Sequence, residues 1–293
     1  GSIYLPFVPL ENAGTDSTVC AGAGIQIGAA AVNNYQYEWM PASPYLSDPG
    51  VPNPGYLYTG NFGGSHIFSE TIILKTTRPQ GCASFDTIRI TTRLVELSLT
   101  TTPALCFGDS TGSITSLVQG AELPLGYTWS DPAYTGDQLN NVPAGDYTLL
   151  VADALGCMDT VTATVGQPEP LAVLLTASDY NGYGVTCAGS SDGSLTANAG
   201  GGTAAYQFAW SPAGTGSMIG NLTAGDYAVT ATDANGCTAE TAATLSEPTA
   251  LILDTLVTDA ICPGGANGTL TVSIQGGVSP FSSNGQAVSG AVY

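Results

Sequence analysis

Seven cysteines, one histidine and a scatter of aspartates are the residues with chemistry to offer. Cys20, Cys82, Cys106, Cys157, Cys187, Cys237 and Cys262 form no Cys-x-x-Cys pair, and His66 is the lone imidazole. A structural zinc site of the Cys/His kind therefore lacks its ligand spacing. Spaced cysteines in an acidic, turn-rich chain point instead to disulfides made in an oxidising compartment. A hydrolase needs a nucleophile beside a base. His66 sits in "GGSHIFSE", which reads as the start of a strand rather than as half of a dyad. Glycosidase chemistry needs two facing carboxylates, and no Asp/Glu pair is clustered outside turns. The expectation is a chain without catalytic residues, not an enzyme.

Charge narrows the partners. The net charge is −19, from 23 acidic and 4 basic residues. The basic residues are Lys75, Arg78, Arg89 and Arg93, and from Leu94 to Tyr293 there is no Lys or Arg against 17 acidic side chains. Such a surface repels phosphate backbones and anionic lipid heads, so neither nucleic acid nor membrane insertion is expected. No apolar run approaches the ~18 residues of a membrane span. Charged residues make up only 9% of the chain, so Ser, Thr, Asn and Gln must supply most of the polar surface. A region free of Lys and Arg offers nothing to trypsin-like proteases and excludes Lys–Asn isopeptide staples.

The elements that position these residues are repeated. "NVPAGDYTLLVADALGC" ends at Cys157 and "NLTAGDYAVTATDANGC" at Cys237, with nine of seventeen positions identical. Upstream, "CFGDSTGSITSLVQG" from Cys106 matches "CAGSSDGSLTANAGG" from Cys187 and "CPGGANGTLTVSIQGG" from Cys262. Trp129 and Trp210 hold corresponding places between the two ends. A fixed repeat of this length signals tandem modules. The first ~94 residues keep the same order of Cys20, Trp39 and Cys82 with a different middle. The third copy carries Cys262 and "GGVSPF" but no Gly-Asp-Tyr strand, and the expectation is a piece of a longer protein. Domains are expected at 1–94, 95–169, 170–249 and 250–293, the last an incomplete repeat.

Segments such as "SITSLV", "GDYTLLVAD", "DTVTATV" and "GTLTVSIQ" alternate with period two and are rich in Val, Thr, Leu and Ile. Turn pairs such as Asn181-Gly182 and Asn235-Gly236 separate them. The fold class expected is all-β, one β-sandwich per repeat. Trp39, Trp129 and Trp210 are the expected core pegs. Tyr147 and Tyr227 stand where a strand begins after a crossover, the place of a tyrosine corner. Asp153 and Asp233 open an Asp-Ala-x-Gly hairpin in which a carboxylate can bond the turn's own N–H groups. Asp109 and Asp192 lie in acidic loops that make weak candidates for Ca²⁺. Position 192 is Thr111 in the first copy and Asn267 in the third, so no repeat-wide metal site is expected, and no cofactor beyond that candidate Ca²⁺. The extra loop "SDYNGYGVT" presents Tyr180 and Tyr183, read first as an insertion and second as a contact.

Taken together, the Cys-x-Gly loop, the Trp-Ser strand, Ala-Gly-Asp-Tyr, Asp-Ala-x-Gly-Cys and the following proline resemble the SprB repeat. Residues 1–94 resemble the PKD-like sandwich (polycystic-kidney-disease-like) found beside such repeats. The resemblance implies immunoglobulin-like modules in tandem, arranged as a rod, in a secreted or cell-surface adhesin of gliding Bacteroidota exported by the type IX system. It implies partners of three kinds: further modules of the same long chain, self-association into a filament or appendage, and surface glycans or other cells. A structural segment that mediates attachment is the first functional expectation. A ligand-binding module gripping glycans or a partner surface, with Ca²⁺ or without, is the alternative. Asp-Ser/Thr sites at Ser17, Thr87, Ser110, Thr160 and Thr255 resemble the O-glycosylation acceptor of that phylum.

Two cysteine pairings stay open under this resemblance. Pairing within modules gives Cys20–Cys82, Cys106–Cys157 and Cys187–Cys237. In an immunoglobulin-like sandwich, however, the loop after the first strand and the last hairpin lie at opposite poles, about 20 Å apart for a strand of ~6 residues. Disulfide Cα atoms lie within ~7 Å. That topology tilts toward pairing between modules, Cys20–Cys157 and Cys106–Cys237. Cys82, Cys187 and Cys262 would then serve modules outside this sequence.

Overall fold

The computed structural model describes residues 12–212, 214–259, 261–262, 264–283 and 286–287. Every regular element among them is a β-strand, and no helix is long and apolar enough to cross a membrane. The chain divides into two compact units. One runs to Ala104 and resumes over Ser110–Gly166, and the other comprises Leu105–Asp109 and the residues from Gln167 onward.

The first unit opens with strands β1 (Ser17–Cys20), β2 (Ile25–Gln26), β3 (Gln36–Met40), β4 (Gly55–Tyr56), β5 (Ile67–Thr77) and β6 (Ala83–Arg93). They form a sheet of order β1-β6-β5-β3 and a short β2-β4 pair. β1 runs parallel to β6. In β5 and β6, Ile72, Leu74, Ile88 and Ile90 fall on alternate positions and are buried with Trp39 and Tyr56. Period-two spacing puts them on one face, and each such side chain contributes roughly 1.5–3 kcal/mol on burial.

The same unit continues with β7 (Glu96–Thr102), β8 (Gly112–Gln119), β9 (Gly126–Trp129), β10 (Gln138–Val142), β11 (Gly145–Ala152) and β12 (Met158–Val165). Two three-stranded sheets, β10-β8-β7 and β12-β11-β9, face each other. In immunoglobulin terms these are the ABE and CFG sheets. Leu97, Ile114, Leu139 and Val142 meet Trp129, Tyr147, Leu149, Val151 and Val165 between them.

The second unit repeats this plan with β13 (Ala172–Ala177), β14 (Gly193–Gly200), β15 (Gln207–Ser211), β16 (Met218–Leu222), β17 (Gly225–Thr232) and β18 (Thr238–Leu245). The sheets are β13-β14-β16 and β15-β17-β18. Its core, with Leu195, Ala197, Trp210, Tyr227, Val229 and Leu245, uses smaller side chains at several equivalent positions. β19 (Ile252–Thr258) and β20 (Thr269–Gln275) then pair antiparallel. The all-β, immunoglobulin-like class expected from the alternating strands is the class observed.

Candidate functional site

The repeated residues converge on two kinds of station, a hairpin and a loop, each carrying a cysteine. The hairpin joins β11 to β12 and β17 to β18. Its backbone closes with Asp153 N–H donating to the Cys157 carbonyl (2.9 Å) and Gly156 N–H to the Asp153 carbonyl (3.0 Å). Asp233, Gly236 and Cys237 make the same pair of bonds. The carboxylate locks the turn. Asp153 Oδ1 accepts from Leu155 N–H (2.9 Å) and Cys157 N–H (2.8 Å), while Oδ2 accepts from Glu122 N–H (3.1 Å). Asp233 accepts likewise from Asn235, Cys237 and Thr203. Asp153 and Asp233 are both buried. Burial pushes the Asp153 carboxyl up, but the N–H donors of Glu122, Cys157 and Leu155, with Arg93 nearby, outweigh it and hold it below the ordinary range. Burial also pushes Asp233 up, and its backbone donors reverse the sign in the same way. Of the N–H groups these aspartates satisfy, that of Cys157 is buried and would otherwise be orphaned, and the others are part-buried. The β5–β6 hairpin has the same backbone closure, Arg78 N–H to the Cys82 carbonyl (2.9 Å), with Arg78 in the aspartate's place.

The loop station precedes β8, β14 and β20. Cys106, Cys187 and Cys262 each accept through the carbonyl from an N–H three residues on, that of Asp109, Ser190 and Gly265. Gly108 N–H donates to Gln167 Oε1 and Gly189 N–H to Glu247 Oε2, both at 2.7 Å. Cys20 is bonded to Cys157 with a Cα separation of 5.2 Å, and Cys106 to Cys237 with 5.7 Å. Cys20 at the end of β1 and Cys106 in its loop are thus each joined to the hairpin station of the sandwich that follows in sequence. In the second unit, Asn235 Nδ2 also donates to the Leu105 carbonyl (3.0 Å). Cys82, Cys187 and Cys262 are exposed free thiols.

The aromatic positions are structural. Trp39, Trp129 and Trp210 are buried, and each indole N–H donates at 2.9 Å to a backbone carbonyl, those of Val51, Gly136 and Gly216. Tyr147 O–H donates to the Pro143 carbonyl and Tyr227 O–H to that of Thr223, both at 2.9 Å. Burial, with Tyr134 beside it, pushes the Tyr147 phenol up to about 12. The first residue of the repeated stretch has a role the sequence reading did not assign. Asn141 and Asn221 both take φ of 57°, at the register shifts between β10 and β8 and between β14 and β16. An L-residue in that region is uncommon, and Asn tolerates it better than most. The identity of Asn in both copies was the signal.

The remaining candidates lie apart. Asp192 accepts from Thr186 O–H (2.6 Å) and Thr186 N–H (3.1 Å), which hold its carboxyl low. Asp109 is exposed in its own turn. Among the described residues, no group of three or more His, Cys, Asp or Glu side chains is placed to hold a metal ion. His66 Nε2 lies 3.2 Å from Glu96 Oε2. Thr87, Ser110, Thr160 and Thr255 are exposed, while Ser17 is half-buried with its hydroxyl donating to the Thr15 carbonyl. Tyr180 and Tyr183 bridge across the Asn181-Gly182 turn, and Tyr180 is 38% exposed.

No curated protein matches the chain. Among solved structures, the chain is similar to the N-terminal eight Ig domains of Down Syndrome Cell Adhesion Molecule isoform 1.30.30, at 13% identity and TM-score 0.43, covering 81% of this chain and 36% of that one. The chain thus spans about a third of that structure's length. It is also similar to extracellular cadherin domains 3–6 of Protocadherin Gamma B2 (12% identity, TM-score 0.29, covering 85% and 75%) and to the I9–I11 tandem of titin (12% identity, TM-score 0.29, covering 80% and 96%). The SprB repeat family matches residues 98–134, 185–215 and 255–282, and each match contains a loop-station cysteine and the strand that follows it. The chain thus carries three segments in tandem that match the SprB repeat.

Proposed function

We propose that this chain is a structural segment of an extracellular adhesin or surface appendage that mediates attachment. The observation that carries this reading is the staggered disulfide pattern, in which a cysteine early in one sandwich is bonded to the last hairpin of the next in sequence. Such cross-links resist separation of successive sandwiches under load. They persist only in an oxidising environment, which favours a secreted or cell-surface location, with export by the type IX system and use in gliding or cell–cell contact as the setting. The buried carboxylates of Asp153 and Asp233 are answered by backbone N–H groups rather than aimed into a cleft, which favours a non-catalytic role. The partners are then further modules of the same kind, and the surface or glycan bound elsewhere on the whole assembly.

Electron microscopy of the unreduced native protein released from cells tests this. Beaded strings that collapse on reduction while still binding cells are the expected result. Saturable binding of a glycan or Ca²⁺ by this chain alone, unaffected by reduction, would replace the structural reading with the ligand-binding one.

A further inference from the structure

Among the described residues, no second sheet covers β19 and β20 as one covers their counterparts. Their register repeats that of the complete sandwiches: Thr101 faces Ile114, Ala177 faces Leu195 and Val257 faces Leu270. Ile114 and Leu195 are 0% exposed, whereas Leu270 is 66% exposed. Leu97 is 5% exposed, and its equivalent Leu253 is 63% exposed. An uncovered apolar face of this kind marks an interaction surface. β20 also has a free edge. β8 and β14 each pair on both sides, with β10 and β16 as their second neighbours, but among the described residues β20 pairs with β19 alone.

The loop at Cys187 lacks the same piece. It has the turn of the bonded Cys106 loop and the same glycine N–H held by a side-chain oxygen at 2.7 Å. Cys106 is bonded to the last hairpin of the following sandwich, and Cys187 is free. By that offset its partner is the hairpin of the sandwich that β19 and β20 begin. Cover for Leu253 and Leu270, a neighbour for β20 and a thiol for Cys187 are three absences filled by one object.

We propose that β19, β20 and the Cys187 loop form a docking site for the second half of a SprB-type repeat. The occupant is a polypeptide with a Trp-bearing strand, a Gly-Asp-Tyr strand and an Asp-Ala-x-Gly-Cys hairpin. Its sheet covers Leu253, Val257, Leu270 and Val272, its strand equivalent to β16 pairs with β20, and its cysteine bonds Cys187. The Cys82 hairpin is a poorer fit, since Arg78 stands where the aspartate of both bonded SprB hairpins fixes the cysteine N–H. Bond formation is a two-electron oxidation by a small-molecule disulfide. The Cys187 thiolate attacks one sulfur of oxidised glutathione and releases one thiolate. The hairpin thiolate then displaces the second, leaving the protein disulfide and two reduced glutathiones.

The test mixes the full chain, its own disulfides intact, with a polypeptide of residues 203–249 in oxidised glutathione. The expected product links Cys187 to the Cys237 of the probe. It is lost in Cys187→Ser and kept in Cys82→Ser and Cys262→Ser. With a Cys237→Ser probe, amide exchange across 252–258 and 269–275 slows while the rest of the chain is unchanged. Adducts spread evenly over the three free thiols, a Cys82–Cys187 dimer of the chain in place of the adduct, or unchanged exchange in β19 and β20 would each overturn the proposal. None of these readouts depends on attachment to cells, so the proposal stands or falls apart from the adhesin reading.

Discussion

Replacing Asp153 by alanine removes one carboxylate and leaves three backbone donors without an acceptor. The Cys157 N–H is buried, whereas those of Leu155 and Glu122 lie where water can reach them. A hydrogen bond to a charged group contributes about 1.5–3 kcal/mol, and an exposed donor recovers most of its share from water. The loss in the second sandwich is therefore about 3 kcal/mol. For a domain of this size that lowers the melting temperature by roughly 15 °C. The assay is native-state hydrogen exchange of the β11 and β12 amides, which reads this sandwich without interference from the others. The pH dependence has a definite sign. The folded carboxyl sits below its unfolded value of about 3.9, so its stabilisation is complete above that value and is lost as pH falls through the folded one. The gap between the wild-type chain and Asp153→Ala should be full at neutral pH and narrow in strong acid. Asp153→Asn should keep the turn partly capped while losing the pH dependence. A gap below about 1 kcal/mol, or one that stays constant from neutral pH into strong acid, would refute the assignment of the carboxylate as the lock.

Three further outcomes follow from the geometry. Tyr147→Phe and Tyr227→Phe each remove one hydroxyl-to-carbonyl bond and should cost about 1 kcal/mol in urea unfolding, with the ring packing kept. Gly201 has φ of 76°, and a Cβ there would lie 2.1 Å from the Pro170 carbonyl oxygen. Gly201→Ala should therefore cost more than about 2 kcal/mol, whereas Gly216→Ala, with positive φ but open space around it, should cost only about 1 kcal/mol in the same melts. Trypsin should leave the chain from Leu94 onward uncut. Mass spectrometry should find the fragment containing Cys20 attached to it through Cys157 until a reductant is added.

Much of this was legible in the sequence because the repeats print their own geometry. Period-two alternation located β8, β11, β12 and β17, since a half-buried strand must show one apolar face. The tryptophans, the corner tyrosines and the hairpin aspartates could be placed because each fills a role that few residue types can fill. The disulfides were only half legible. Cys106 stands near both Cys157 and Cys237 in repeat terms, and sandwich poles rather than sequence distance decide between them. The backbone of Asn141 was hidden because a single left-handed residue leaves no periodic trace. The parallel pairing of β1 with β6, and two-residue strands such as β2 and β4, fall below any window in which a pattern can be read. The small polar clusters at Gly108 and Gly189 join residues far apart in the chain, which no local motif announces.

The staggered bonds also impose a timetable. In sequence order Cys20, Cys82 and Cys106 all precede Cys157, the partner Cys20 requires. A chain that oxidised as fast as it emerged would close neighbouring thiols and jam. The native pairs reward delay, because Cys20 must wait until the second sandwich has shaped its final hairpin, and Cys106 must wait for the third. Such a chain closes like a zip whose teeth engage one position late.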